Sequence, residues 1–163
     1  MANVAVDKYP DGQLPETLWE RINAITDQIR QRAFSRFERR GGTAGEDVND
    51  WLEAEREVVW SPAAELIEND RDYHARIALP GFDAKDLDLT ATPHALILQA
   101  KSSHHHAGKE GDACLCELSE KGLFRRLDLP SEIDVDRVVA SLDGGLLDVT
   151  AQKASEQKMK AAA

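Results

Sequence analysis

The hydrophobic pattern between residues 60 and 153 changes to a period of two, and this constrains the fold more than any other feature of the chain. Tyr73, Ala75 and Ile77 alternate with the more polar His74 and Arg76. Successive side chains of a strand point to opposite faces of a sheet, so this alternation is typical of strands with one buried and one solvated face. The nearly continuous apolar run at residues 95–100 indicates a more deeply buried strand.

Turn residues separate these apolar segments at short intervals. They are Asn-Asp at 69–70, Pro-Gly at 80–81, Thr-Pro at 92–93 and Asp-Gly at 143–144. The Asp-Gly pair predicts a tight hairpin, because glycine tolerates the positive φ that such a turn requires. Short strands at this spacing, without helices between them, predict an immunoglobulin-like sandwich of two antiparallel sheets over residues 61–153.

Residues 15–60 instead carry a helical pattern. Their apolar residues recur at steps of three and four along one helix face: Leu18, Ile22, Ile25, Ile29, Ala33 and Phe37. The glycines at 41–42 are suited to end this helix, and Thr43 with Glu46 has the order of a capping box that would begin a second one. This segment is therefore predicted to be a helical hairpin. Residues 1–14 and 154–163 show no such pattern and are expected to be flexible.

The net charge of −10 argues against a nucleic-acid partner, because phosphate binding needs clustered Lys and Arg. No apolar run approaches the length that spans a bilayer, and no secretory signal is visible, so neither a membrane partner nor secretion is expected. The two cysteines, Cys114 and Cys116, are too close in sequence for an ordinary disulfide framework. A reducing cytoplasm fits this cysteine content best.

Four motifs occur in order along the β-rich region. They are Leu-Pro-Gly-Phe at 79–82, Leu-Ile-Leu at 96–98, Leu-Pro at 129–130, and Ala140 followed by Gly-Leu-Leu at 145–147. Together they resemble the α-crystallin domain of the small heat-shock proteins. Residues 29–34, Arg-Gly at 40–41 and residues 50–55 resemble a short bacterial domain of unknown function that forms a helical pair.

The first resemblance implies an ATP-independent chaperone, or holdase, without an active site or a cofactor. Its partners would be unfolding client proteins and a second copy of the chain. An arginine on the strand before residues 129–130 would lie at the homodimer interface; Arg125 or Arg126 fills this place, and Arg125 fits the spacing better. The alternative is a non-catalytic adaptor whose sandwich docks one specific folded partner, as related co-chaperone domains do.

Two surfaces are candidates for binding. The first is an apolar stripe on the helical hairpin that would contact clients and build further assembly: Leu18, Trp19, Ile22, Ile25, Ile29, Phe34, Phe37 and Trp51. Aliphatic and aromatic groups bind unfolded chains without directional preference, which suits diverse clients. The second candidate is a groove between sheet edges lined by Leu87, Leu89, Leu127 and Leu129.

The region after residue 153 departs from the resemblance. Many family members carry an Ile-x-Ile motif in a C-terminal tail that plugs a groove on a neighbouring dimer. Met159 is the single large apolar residue in the tail of this chain, which puts large assemblies built by that linkage in doubt.

The loop at residues 101–112 contains His104, His105 and His106. With Cys114 and Cys116 they could bind zinc, but adjacent histidines do not readily hold one ion together, so a solvated loop is favoured and no metal is predicted. A pH-sensing role for these histidines is disfavoured against the same solvated loop. Carboxylate pairs lie in turns rather than in any visible cleft, so no enzyme is predicted.

Overall fold

The computed structural model describes residues 1–100 and 122–155. These residues fall into two compact units, one built from residues 14–60 and the other from residues 1–13, 61–100 and 123–155. The first unit is helical, and the second is a β-sandwich. The predicted fold class, a mainly β sandwich with a helical pair ahead of it, is therefore confirmed.

The helical unit consists of helices α1 (Glu16–Arg39) and α2 (Asp47–Val58). Gly41 and Gly42 follow α1 with φ values of 91° and 69°, which glycine adopts readily and other residues rarely do. The Gly42 amide donates a 2.9 Å hydrogen bond to the Phe37 carbonyl, so the turn satisfies a carbonyl that the end of the helix would leave unpaired. The predicted glycine turn between two helices is present.

The start of α2 differs from the predicted capping box. Glu46 takes the N-cap position, and no side chain makes a capping hydrogen bond there. The Thr43 carbonyl accepts a hydrogen bond from the Arg40 guanidinium instead. Asp47 and Asp50 lie in the first turn of α2, where negative charge is favoured by the helix dipole. The capping prediction for Thr43 is therefore wrong, because the turn continues three residues further than the motif requires.

The core of the helical unit is small. Ile29 from α1 packs with Ala54 and Val58 from α2, and these three side chains are buried. Four partly buried residues surround them: Ile25, Ala33, Trp51 and Val59. Two helices alone bury little apolar surface, which leaves part of each helix face in contact with water.

The strands are numbered in chain order. They are β1 (Ala2–Asn3), β2 (Val6–Lys8), β3 (Val59–Trp60), β4 (Ala64–Glu68), β5 (Asp72–Ala78), β6 (Leu87–Thr92), β7 (Ala95–Ala100), β8 (Gly122–Asp128), β9 (Ile133–Asp143) and β10 (Leu146–Lys153). A short 3-10 turn at Ala84–Asp86 leads into β6.

One sheet of the sandwich has the order β1-β9-β10-β5-β4, and all of its pairs are antiparallel. The hairpin between β9 and β10 turns at Gly144 and Gly145, whose φ values are 55° and 80°. The Asp-Gly hairpin predicted at residues 143–144 is therefore present. In the other sheet β2, β6, β7 and β8 lie side by side.

Residues 1–14 were expected to be loosely ordered, and the structure differs. β1 pairs with β9, with Ala2 opposite Leu142, and β2 runs parallel to β6, with Val6 beside Leu89. This parallel pair also departs from the predicted all-antiparallel arrangement. Such order depends on partners that are distant in sequence, and a segment this short shows no periodicity of its own.

The alternation along β5 sorts its side chains as predicted. Tyr73, Ala75 and Ile77 are buried, whereas His74 and Arg76 are exposed. In β7 the predicted buried strand is also observed, because residues 95–99 are all buried. The inward faces of both sheets therefore form one aliphatic core, as expected for a sandwich.

Two of the sequence motifs meet in space. The Leu79 amide donates a 2.7 Å hydrogen bond to the Gly145 carbonyl, so the Leu-Pro-Gly-Phe turn lies against the hairpin that follows β9. A Cβ atom at Gly145 would lie 3.3 Å from the Pro80 Cα. Close approach of two backbones thus explains why glycine occupies this position in the Gly-Leu-Leu motif.

Candidate functional site

The apolar stripe predicted on the helical hairpin divides into buried and exposed members. Six of its eight residues are buried or half-buried: Leu18, Ile22, Ile25, Ile29, Phe37 and Trp51. Trp19 and Phe34 are 51% and 58% exposed. Ile29, with the partly buried Ile25 and Trp51, therefore belongs to the core of the helical unit. Within the stripe, Trp19 and Phe34 are the exposed residues.

Helix α2 adds two exposed apolar residues that the predicted stripe did not include. Val48 and Leu52 are four positions apart on one side of α2, and both side chains are exposed. We call Trp19, Phe34, Val48 and Leu52 the exposed apolar set. Phe34 stacks on Phe37 with ring centroids 6.2 Å apart, which orients the Phe34 ring. The four-residue step from Val48 to Leu52 is the sequence signal that could have identified these two exposed residues of α2.

An ion-pair cluster joins the two helices. Glu57 of α2 accepts hydrogen bonds from Arg36 and, at 3.3 Å, from Arg32 of α1. The hydrogen bond from Arg36 and the charges of both arginines lower the pKa of Glu57 below its ordinary value of 4.5, against a smaller opposing effect of burial. The same bond raises the pKa of Arg36.

A second charged contact lies near the turn between the helices. Arg40 donates to Oδ2 of the buried Asp50 at 2.7 and 3.0 Å and to its Oδ1 at 3.3 Å, and the Arg40 guanidinium lies 3.6 Å from Asp47. The Arg40 guanidinium also sits 5.2 Å from the Phe37 ring centroid, within cation–π distance. The hydrogen bond to Asp50 raises the pKa of Arg40. Sequence reasoning assigned no role to Arg40 or Asp50, although both fall in the segments that resembled the short bacterial domain.

The predicted groove is not accessible in the structure. Its four leucines are all buried in the core of the sandwich unit: Leu87, Leu89, Leu127 and Leu129. Val6 of β2 also lies beside Leu89 along the strand edge. The prediction of an exposed leucine groove therefore needs correction, because period-two leucines point into the core and sequence alone does not separate core from groove.

Arg125, the predicted dimer residue, lies half-buried on β8 opposite Leu98 of β7. Within the described ranges its Nε atom is buried without a hydrogen-bond partner. The neighbouring Arg126 is exposed and donates to Asp128 at 2.8 Å. A role for Arg125 at a dimer interface stays a prediction.

A polar network fastens the end of β10 to β4 and β5. Lys153 donates a 2.7 Å hydrogen bond to Glu68, and Tyr73 donates to the same carboxylate at 3.1 Å. The Lys153 ammonium also lies 5.0 Å from the Tyr73 ring centroid. These hydrogen bonds lower the pKa of Glu68, and the bond from Lys153 is the largest cause. The bond to Glu68 raises the pKa of Lys153. The network gives Lys153, at the end of the last strand, a structural role.

With this sandwich geometry established, comparison with known proteins assigns the family. The model of the Hsp20/alpha crystallin family matches residues 65–162, more than half of the chain. The chain belongs to the Hsp20/alpha crystallin family. A model named "Protein of unknown function (DUF2934)" matches residues 26–59, which contain most of the helical pair. Both resemblances inferred from the sequence are thereby confirmed.

Relatives in the family include small heat shock protein C4 of Rickettsia felis, which is 26% identical over 102 residues. That match covers 63% of this chain and 63% of the relative. Spore protein SP21 of Stigmatella aurantiaca is 30% identical over 99 residues, covering 61% of this chain and 59% of the relative. The chain therefore spans about three fifths of the length of these relatives.

The fold of the family is also seen in solved structures. Heat shock protein 16.0 from Schizosaccharomyces pombe matches 60% of this chain and 90% of its own, at 24% identity and a TM-score of 0.51. This similarity shows the sandwich fold and carries no residue-level role. Family membership supports a chaperone role in general terms.

Among residues 1–100 and 122–155, no cluster of three or more His, Cys, Asp or Glu side chains could hold a metal ion. His104, His105, His106, Cys114 and Cys116 lie outside the described residues, so their predicted roles are not tested. No helix in the part of the chain that the structure describes is long and apolar enough to cross a membrane.

Proposed function

We propose that this chain is an ATP-independent holdase that binds partly unfolded proteins and prevents their aggregation under stress. The observation that carries the proposal is the match of the Hsp20/alpha crystallin family model over residues 65–162. The relatives named as small heat shock proteins support the same role. The chain acts by binding rather than by catalysis, in the reducing cytoplasm, and it uses neither nucleotide nor cofactor.

The exposed apolar set of the helical unit is the client-contacting surface in this proposal. Covering a Phe or similar side chain completely is worth about 2 kcal/mol, so one such contact alone binds weakly. Four exposed apolar side chains on the two helices supply more, and repetition of these side chains in an oligomer would raise the avidity further. The hydrophobic effect requires no particular sequence in the client, which suits a general chaperone.

Self-association belongs to the same proposal. The sandwich forms a homodimer with Arg125 at its interface, and the helical unit contributes to any further assembly. The half-buried position of Arg125 on β8 supports this placement, because part of its side chain remains accessible to a partner subunit.

Light scattering of a heat-labile client without nucleotide tests the proposal. The informative variant is Trp19→Asp/Phe34→Asp, and Val139→Asp is the matched control because Val139 is 64% exposed on β9 of the sandwich. Wild type and control should both suppress scattering, whereas the double variant should require several times more protein for equal suppression. Failure of wild type to suppress scattering contradicts the holdase proposal. Equal suppression of scattering by the double variant and the wild type would show that the exposed apolar set does not contact clients.

A further inference from the structure

The end of α1 carries a row of three side chains at steps of three residues. They are Phe34, Phe37 and Arg40, the last of which is the C-cap of the helix. Residues three apart on a helix lie next to each other on its surface. Phe34 is 58% exposed and belongs to the exposed apolar set, whereas Phe37 and Arg40 are half-buried. The row therefore runs from the surface to the connection between the two helices.

Polar contacts fix Arg40 at the inner end of this row. Its Nη2 and Nε atoms donate to the carboxylate of the buried Asp50, which lies in the first turn of α2. Its Nη1 atom donates to the Thr43 carbonyl in the connection between the helices. A guanidinium is planar and carries its donors in a rigid fork, so these contacts together fix the orientation of the whole group.

The oriented guanidinium contacts the ring of Phe37. The Arg40 Cζ atom lies 5.2 Å from the Phe37 ring centroid, which is within cation–π distance. Gly42 limits the space beside the same ring, because a Cβ atom at Gly42 would lie 3.6 Å from the ring atoms Cε1 and Cζ. The Phe37 ring stacks on Phe34 with an angle of 25° between the two planes. Phe37 therefore links Arg40 to the exposed ring of Phe34.

Arg36 offers a comparison within the same helix. It also joins α1 to α2, through its hydrogen bond to Glu57. Within the described residues, the cation–π contacts are those of Arg40 with Phe37 and of Lys153 with Tyr73, so Arg36 makes none. Arg36 thus connects the helices without contacting the aromatic row.

The orientation of an exposed ring affects how tightly it binds. A side chain that must be ordered on association weakens binding by roughly two- to tenfold relative to one that is already held in place. The contact with Phe37 supplies such order to Phe34, and Arg40 supplies it to Phe37.

We propose that Arg40 is a positioning residue for client binding, which acts on the Phe34 ring through Phe37. Asp50 and the Thr43 carbonyl hold Arg40 in the orientation that this requires. The inference rests on the proposed holdase function, in which Phe34 contacts the client, and it assigns Arg40 no client contact of its own.

Fluorine NMR tests the positioning without any client. The full chain carries para-fluorophenylalanine at position 34, and Arg40→Lys is the test variant because lysine keeps the charge but lacks the planar fork. Arg36→Lys makes the same change in the other interhelical arginine and is the matched control. The fluorine resonance should move toward its position in the unfolded chain in Arg40→Lys and stay unchanged in Arg36→Lys. An unmoved resonance in Arg40→Lys, or an equal movement in the control, would overturn the proposal.

A double-mutant cycle connects the positioning to client binding. The probe is fluorescently labelled α-lactalbumin, reduced and carboxymethylated so that it stays unfolded, and anisotropy measures its binding to the full chain. Arg40→Lys should weaken binding about threefold when Phe34 is present and should have no effect in a Phe34→Ala background, because a residue that acts through Phe34 then has nothing to position. Equal weakening in both backgrounds would show a general structural role and contradict the proposal.

The outcomes separate this proposal from the holdase proposal. If Phe34→Ala weakens binding of the probe and Arg40→Lys does not, the positioning role fails and the client surface stands. If the wild-type chain does not bind the probe, the holdase proposal fails, and the fluorine resonance alone decides whether Arg40 orients the Phe34 ring. If tryptophan fluorescence shows that Arg40→Lys unfolds the helical unit, Phe37→Leu replaces it in both experiments with the same expected results, and an unmoved resonance in that variant overturns the proposal.

Discussion

The sandwich and the helical unit contain the same types of aliphatic residue but bury them to different extents. In the sandwich, inward-facing residues of β5, β6, β7 and β10 are almost completely buried. In the helical unit the core cluster between α1 and α2 consists of three buried side chains, and charged pairs add further contacts between the helices. Four large apolar side chains of that unit stay exposed. The comparison shows a fully buried aliphatic core in the sandwich and exposed apolar side chains in the helical unit.

The largest effect is expected from the sandwich core. Leu147→Ala removes a side chain with no exposed surface and should lower the free energy of unfolding by about 3 kcal/mol, since it leaves a cavity. Leu146→Ala is the matched control, because the neighbouring leucine is exposed. Hydrogen exchange of the β10 amides measures the loss of unfolding free energy in both variants. Similar losses for the two variants would break the distinction between buried and solvent-facing positions in this hairpin.

The next effect tests whether ion pairs hold the helical unit. Asp50→Asn removes the carboxylate that Arg40 contacts through three hydrogen bonds, and should destabilise the unit by about 2 kcal/mol. All three tryptophans of the chain, at positions 19, 51 and 60, lie within residues 14–60, so tryptophan fluorescence reports its unfolding. Asp47→Asn, at an exposed and longer contact, should have little effect. A larger effect of Asp47→Asn would contradict this ranking.

Glycine substitutions in the hairpin between β9 and β10 test how tightly the sandwich is packed. Gly145→Ala should cost about 2 kcal/mol, because φ is 80° and the added Cβ would crowd the Pro80 backbone. Gly144→Ala has a φ of 55° and nothing within 4 Å of its added Cβ, so it should cost less. Thermal unfolding, monitored by circular dichroism, ranks the stabilities of the two variants. The reverse ranking would mean that the contact between the turn and the hairpin does not restrict residue 145.

The smallest effect is a pH dependence in each unit. Glu57 and Glu68 have folded-state pKa values below 4.5, so their contacts add stability above about that pH, and this stability is lost as pH falls through the lowered pKa values. Glu57→Gln should flatten the loss of stability of the helical unit as pH falls below about 4.5, and Glu68→Gln should do so for the sandwich. Unchanged pH profiles in both variants would show that these contacts contribute nothing measurable.

The sandwich could be predicted from sequence because its information is local and repeated. Alternation in β5, the apolar run of β7 and the Asp-Gly turn at 143–144 each point to the same architecture. Agreement among such independent signals is typical of a well-specified fold. The close contact between Gly145 and Pro80 could not be predicted, because it joins two motifs that are far apart in sequence.

The candidate surfaces were less predictable. Helical spacing identified an apolar stripe, but it did not show that Ile29 would be buried while Phe34 stayed exposed. The strand pairing of residues 1–9 was missed because Val4 and Val6 give only one alternation, and their order comes from β9 and β6. The period-two pattern likewise did not show whether Leu87 lies in the core or lines a groove, and the structure places it in the core.

Site-specific photo-cross-linking to a heat-unfolding client tests the central claim most directly. A photoreactive phenylalanine analogue at Phe34 probes the helical unit, and the same analogue at the similarly exposed Val139 probes the sandwich. The account predicts strong client cross-linking from position 34, increasing with temperature, and much weaker cross-linking from position 139. Equal yields from both positions, or none from position 34 while the client is protected, would contradict it.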